Sequence, residues 1–274
     1  MERIEVCCPQ SGGEEHFSGC LICGAELVYN SLGTERRCAV CGRESAGNAV
    51  CANGHYVCDE CHAYGAFAAI IPELYKSREK NPLLLLDSVM DLPSVHMHGP
   101  EHHIIVPLVL LTALRNNGGD INYDEAMREA YRRASKLPGG TCGFWGVCGA
   151  AAGAGIFASL LLGSSPLHKD AWPLPQQLVS DILARLAEIG GPRCCKRTSR
   201  VAIEEASRFL RETGGADMPL CKLGCKYTAL NRECIGGDCP YFSKINSSCL
   251  IYKTRRLSNE AYQNRGRSGS CAVP

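Results

Sequence analysis

The chain has 274 residues, 45% of them hydrophobic and 21% charged, with a net charge of +1. That length admits one large domain or two smaller ones, and the near-neutral balance excludes a globally basic nucleic-acid binder. The 19 cysteines leave two broad explanations, a disulfide framework or metal ligation.

The start, Met1-Glu2-Arg3-Ile4-Glu5, carries no apolar signal segment. Several cysteines fall in CxxC pairs, which suit a metal better than a disulfide network. The expectation is a reduced, cytoplasmic protein from an organism little exposed to oxygen. Charge is uneven: residues 1–62 hold four Lys/Arg against nine Asp/Glu, and residues 193–274 hold fifteen against seven. The acidic first segment is a poor partner for phosphates, and the basic end reads as solvated surface more readily than as an RNA site.

Residues 1–62 are short of apolar runs, so a metal must replace the missing core. The ligand series is Cys20-x2-Cys23, Cys38-x2-Cys41, Cys51-x3-His55 and Cys58-x2-Cys61. A CxxC turn presents two thiolates to one tetrahedral ion, so four pairs suffice for two zinc ions. Spacing does not decide whether successive pairs combine or cross over. The order resembles RING-like and zinc-ribbon modules.

Residues 63–218 read as an all-α domain. Helices are expected over Ala66–Lys80 and Pro82–Asp91, the second with Pro at its first turn. A loop over Leu92–Gly99 follows, then a helix opened by Pro100 and kinked at Pro107. Tyr123–Leu137 is the next helix, capped by Asn122 and ended by Pro138-Gly139-Gly140. Phe144–Leu162 is uncharged and near the length of a minimal membrane span, but its glycines mark a buried core helix that a neighbour or cofactor approaches closely. Leu174–Ile189 and Thr198–Thr213 complete the set. Residues 219–250 form a Cys-rich segment, and 251–274 a polar tail expected to be disordered. The fold class is therefore mainly α, with an N-terminal zinc-ribbon/RING-like module, an all-helical domain and a Cys-rich C-terminal segment.

Three Gly/Pro-bounded segments inside the helical domain carry chemistry. The first, His96-Met97-His98-Gly99-Pro100-Glu101-His102-His103, holds four of the eight histidines. The second is Cys142-Gly143-Phe144-Trp145-Gly146-Val147-Cys148-Gly149, and the third Gly191-Pro192-Arg193-Cys194-Cys195-Lys196-Arg197. Imidazoles and thiolates ligate transition metals, histidine serves as acid or base near neutral pH, and flanking cations activate thiols. His98, His102, His103, Cys194 and Cys195 are candidate catalytic groups, with Glu101 as their partner. Cys142, Cys148, Arg193 and Lys196 are candidate cofactor-binding groups. A further set, Cys221-x3-Cys225-x8-Cys234-x4-Cys239-Pro240, suits another zinc or an iron–sulfur cluster. Cys7, Cys8, Cys249 and Cys271 receive no role.

These three segments resemble the signature stretches of a prokaryotic family known as domain of unknown function 5714. The resemblance covers roughly Cys38 to Phe242. It implies a setting in anaerobes and methanogens, where the family is sometimes fused to a methyltransferase domain, but no activity; the chain has no glycine-rich strand–turn–helix of the methyltransferase kind. A weaker likeness, over Cys148-Gly149-Ala150-Ala151-Ala152-Gly153-Ala154-Gly155-Ile156, is to a helix of iron–sulfur serine dehydratases and cysteine desulfidases.

The functional expectation is a metal-binding protein, with zinc in the N-terminal module and an iron–sulfur cluster or another transition metal in the helical domain, acting on a small substrate, sulfur compounds among the candidates, by lyase or redox chemistry. The alternative is a non-enzymatic scaffold or metal or sulfur carrier that docks a partner protein through the zinc module. No membrane partner is expected.

Overall fold

The computed structural model describes residues 19–221 and 223–242. Cys7, Cys8, Cys249, Cys271 and the tail 251–274 lie outside the described residues. The described chain is mainly helical, with eight α-helices and one two-stranded sheet.

The sheet is an antiparallel hairpin of β1 (Leu27–Arg37) and β2 (Glu44–Cys51). Register runs from Leu27 opposite Cys51 to Arg37 opposite Glu44, with an irregularity between Tyr29 and Thr34. Neither face carries a full apolar stripe; Val28 and Leu32 are exposed. The turn is closed by Cys38 N donating to Arg43 O at 2.8 Å, and Gly42 takes the left-handed conformation at φ +71°.

Helix α1 (Asp59–Lys76) begins inside the last CxxC pair, with Cys58 at its N-cap. Asp59 and Glu60 in the first turn favour the positive end of the helix dipole. The helix thus starts seven residues before the predicted Ala66, and the 62/63 domain boundary falls within it. Ala63, Ala66, Phe67, Ile70 and Leu74 form its buried stripe. In α2 (Pro82–Met90), Asn81 Oδ1 accepts from Leu83 N at 2.9 Å, and Pro82 opens the first turn as expected.

Helix α3 (Glu101–Asn116) is the axis of the domain. Every residue from Glu101 to Leu114 is buried, the signature of a helix enclosed on all sides, and it packs against α1, α2, α4, α6 and α8. It runs unbroken through Pro107. Helix α4 (Tyr123–Ala134) has the predicted Asn122 cap. A single short turn, α5 (Thr141–Phe144), precedes α6 (Gly149–Leu161).

The glycines of α6 do what the sequence suggests. A β-carbon on Gly153 would meet His103 O at 2.5 Å and Pro107 Cδ at 2.9 Å, so α3 and α6 touch backbone to backbone. One on Gly155 would meet Val179 of α7 (Pro173–Ile189) at 2.6 Å. No described helix is long and apolar enough to cross a membrane.

Helix α8 (Cys195–Glu212) buries unusual cargo: Lys196, Arg197 and Arg200 are at most 5% exposed. Arg200 Nη2 pairs with Asp87 Oδ1 at 2.6 Å. Three of the five basic residues of α8 therefore lie inside the protein. Residues 214–221 and 223–242 close the domain over α2 and α8, with Tyr227 Oη donating to Asp91 Oδ1 at 2.7 Å.

Candidate metal centre and cleft

The four N-terminal ligand pairs interleave. Cys20 and Cys23 join Cys51 and His55, while Cys38 and Cys41 join Cys58 and Cys61; within each set all ligand atoms lie within 4.8 Å of one another. Either set can hold a metal ion. The hairpin bridges them: its base carries the first set and its tip meets the start of α1 at the second. Cys23 Sγ lies 3.4 Å from Cys51 Sγ, Cys41 Sγ lies 3.9 Å from Cys58 Sγ, and Cys20 Sγ lies 3.8 Å from His55 Nδ1. Backbone N–H groups in the turns point at sulfur: Ile22 N to Cys20, Val40 N to Cys38 and Asn53 N to Cys51, at 3.2 to 3.4 Å. Such donors favour thiolates. The Ala25 amide, then Cys51, brings the Cys23 thiol down to about 6, and the amide and then the side chain of Arg43 do the same for Cys41.

Between the hairpin and the helical domain lies a cleft of about 390 Å³. The N-terminal ends of α1, α3, α5 and α8 converge on it, because each follows a Gly/Pro-bounded loop that brings polar groups to the helix start. The three sequence segments 96–103, 142–149 and 191–197 thus meet in space, contributing His96, His98, His103, Cys142, Arg193 and Cys195 to one wall.

Behind this wall lies Glu101, fully buried. Its Oε2 accepts from His62 Nδ1 at 3.1 Å, and its Oε1 accepts from the His96 backbone N–H at 3.1 Å. The His96 Nδ1 lies 3.3 Å from Oε1, and the His62 and His96 rings meet edge to face at 4.7 Å. Burial alone would raise the Glu101 carboxyl, but hydrogen bonds from His62 and His96 hold it well below the usual carboxylate range. Burial pushes His62 down, and the Glu101 hydrogen bond and charge outweigh it, so the imidazole sits above its ordinary value. His62, His96 and Glu101 form the third constellation whose ligand atoms all lie within 4.8 Å. Two imidazoles and one carboxylate are the donor set of catalytic zinc and of non-haem iron(II) sites, which leave coordination positions open. Here His62 and His96 face the cleft while Glu101 lies behind them.

Around the triad, His98 Nε2 donates to Asn231 Oδ1 and Glu233 Oε2, both at 3.2 Å, and burial followed by the nearby Arg193 lowers its basicity. Arg193 stacks over the Tyr29 ring at 4.7 Å and donates to its hydroxyl, tying the hairpin to the helical domain. Burial pushes the Cys195 thiol up to about 12. Cys142 is exposed on the cleft.

Other predicted residues sit elsewhere. His102 is enclosed, with Nε2 donating to His96 O at 3.1 Å and Ser199 Oγ 3.4 Å from Nδ1; burial, then Lys196, drops it to about 3, so it is neutral and holds the 96–99 loop in place. His103 lines the cleft with its Nδ1 on Leu137 O at 3.2 Å. Cys148 caps α6 within the core. Lys196 donates to Met90 O and Val95 O at 3.0 and 3.3 Å, and burial lowers it to about 8. Cys194 faces away from the cleft, toward Cys225, Cys234 and Cys239; Cys221 is not part of that wall.

Sequence reasoning placed Glu101 as a partner of catalytic histidines and left His62 and His96 without a role. His62 directly follows Cys61 and reads there as an appendage of the zinc module. The available signal was its place in the first turn of α1, one residue after a ligand, which commits its direction once Cys61 is fixed.

The model of a family of unknown function, DUF5714, matches residues 70–242. No curated protein and no solved structure matches the chain.

Proposed function

We propose, from the premise that the chain belongs to DUF5714, a family of unknown function, that it is a metal-dependent enzyme acting on a small anionic substrate in the cleft. The observation that carries this reading is the His62–His96–Glu101 constellation, set at the wall of a 390 Å³ cleft. The two cysteine-rich sets are taken as structural zinc, since each is a closed group of four donors. A metal at the triad would supply Lewis-acid polarisation of a substrate oxygen or a more acidic bound water.

The chain's own residues supply the rest. Arg193 and the N-terminus of α8, which has no acidic residue in its first turn, favour an anionic group in the cleft. His98, made less basic by burial and then by Arg193, and oriented by Asn231 and Glu233, is placed to take or return a proton. His102 and Ser199 hold the backbone that positions His96. Cys142 and Cys195 make the cleft wall compatible with a sulfur-containing substrate.

The test uses metal as its readout. Full-length protein stripped of weakly held metal is titrated with zinc(II) or iron(II) and measured by elemental analysis. Wild type should take up one ion more than His62→Ala or Glu101→Gln, with the two cysteine-set ions retained in all three. Equal uptake would remove the proposal.

A second reading, in which the module docks a partner protein, draws on the exposed Ile22, Val28, Leu32 and Val40 of the hairpin region. Leu32→Ser with Val28→Ser would then abolish co-purification of a partner from the native host while leaving metal uptake unchanged.

A further inference from the structure

Cys194 and Cys195 are neighbours that serve different cavities. Cys195 lines the cleft, whereas Cys194 lines a small separate cavity on the other side of the α8 start, together with Cys225, Cys234 and Cys239. Three chain segments deliver these thiols: the N-cap of α8, the strand-like stretch tied by Cys225 N to Tyr241 O at 2.6 Å, and the turn around the short 3-10 segment Gly236–Asp238. Sequence spacing groups Cys221 with the last three, but the cavity wall has Cys194 in that place.

The wall is prepared for an anion. Arg197 N and Gly236 N each point at a thiol, Cys194 Sγ and Cys234 Sγ, at 3.4 Å. Arg197 and Arg200 line the same space and are 5% and 1% exposed. Arg200 Nη2 is paired with Asp87, yet Arg200 Nε and Nη1, Arg197 Nε and Thr228 Oγ1 have no hydrogen-bond partner among the described residues. Each buried donor left unmade costs about 1–3 kcal/mol. Four of them around one sulfur-lined space call for an acceptor in that space.

The donor set narrows the acceptor. A single tetrahedral ion with metal–sulfur bonds of about 2.3 Å draws its sulfurs to about 3.8 Å from one another. The N-terminal sets meet that condition, with all ligand atoms inside 4.8 Å; these four sulfurs are not such a set. Irons bridged by sulfide hold four thiolates further apart and present sulfide lone pairs to N–H and O–H donors. The complex is an anion, and two buried guanidinium groups oppose its charge.

We infer that Cys194, Cys225, Cys234 and Cys239 bind an iron–sulfur cluster whose sulfurs accept from Arg197, Arg200 and Thr228. The cluster fastens residues 225–242 to the first turn of α8, one residue from the cleft wall. This site stands on its own residues and does not depend on a metal at the His62–His96–Glu101 triad.

Full-length protein purified without oxygen, and reconstituted with iron(II) and sulfide, tests it. Iron and acid-labile sulfide should appear together with visible absorption that dithionite bleaches. Cys194→Ser and Cys239→Ser should each lose most of the sulfide while keeping the zinc of the N-terminal module and the helical circular dichroism. Cys221→Ser should keep the sulfide, as should Glu101→Gln, which separates this site from the cleft. A further zinc ion with no sulfide in wild type would overturn the inference, as would sulfide retained in Cys194→Ser or lost in Cys221→Ser. If Cys194→Ser fails to fold, Cys239→Ser and Cys221→Ser decide by the same criterion.

Discussion

Gly99 and Glu101 approach so closely that a β-carbon on Gly99 would lie 2.0 Å from Glu101 Oε2 and 2.5 Å from His62 Cε1. Neither neighbour can yield freely, because Glu101 is fully buried and anchored by His62 and His96. Gly99→Ala should therefore push the carboxylate off its partners. Metal uptake at the triad should fall at least tenfold in affinity, and stability by about 1–3 kcal/mol, the usual cost of overpacking. Metal titration and urea unfolding of the variant measure the two separately. Unchanged affinity would mean that the triad does not hold the ion.

The buried pair makes stability of the triad-metal-free protein depend on pH in a definite direction. His62 has a folded value above its unfolded one, so its contribution is complete below about pH 6.5 and disappears as pH rises through the folded value. Glu101 is depressed, so its contribution is present above about pH 4.3 and is lost as pH falls through the folded value. The stability difference between wild type and His62→Gln should then shrink as pH rises above about 6.5. Denaturant titrations across that range check it; a difference that grows with pH would contradict the pairing.

Metal and proton compete for the same imidazole. Binding at the triad should release a proton from His62, so affinity should rise as pH rises above about 6.5. Calorimetric titrations in buffers of different ionisation enthalpy count the proton; a binding heat that does not change with the buffer would contradict the competition.

The close approach of α3 and α6 depends on Gly153. Gly153→Val places side-chain atoms against His103 O and Pro107, a backbone and a ring that have nowhere to go. A loss of about 1–3 kcal/mol is expected, with thermal unfolding as the measure. Gly143→Ala is the control: a β-carbon there meets nothing within 4 Å, and its unfolding temperature should stay near wild type.

Much of the helical architecture is visible in the residues themselves. Proline at the start of α2, the Asn122 cap, the Gly190-Gly191-Pro192 stop and the apolar periodicity of α1 and α7 all act locally, and the structure follows them to within a few residues, apart from the earlier start of α1. The strands at Leu27–Arg37 and Glu44–Cys51 are not visible in this way. They lack an apolar alternation because the donor sets at the two ends of the hairpin, and not a hydrophobic face, hold them.

The cleft was half legible. Loops bounded by glycine and proline before helices marked where polar groups gather, and 96–103, 142–149 and 191–197 do gather. Which histidines face the cleft was hidden, since His62 and His96 differ from His102 only in what surrounds them: the first two look into the cleft, and the last is sealed behind them. The same holds for Cys194 and Cys195, whose directions diverge because the N-cap residue is extended and the next begins a helix.

The interleaving of the first four ligand pairs has a consequence for biosynthesis. A ribosome that has released the chain only as far as Cys51 has delivered parts of both donor groups and finished neither. The chain between the two halves of each donor set carries half of the other set, so an excised half of the module would hold neither set complete. Any shuffling event that moved this unit into another protein would have had to carry residues 20–61 whole.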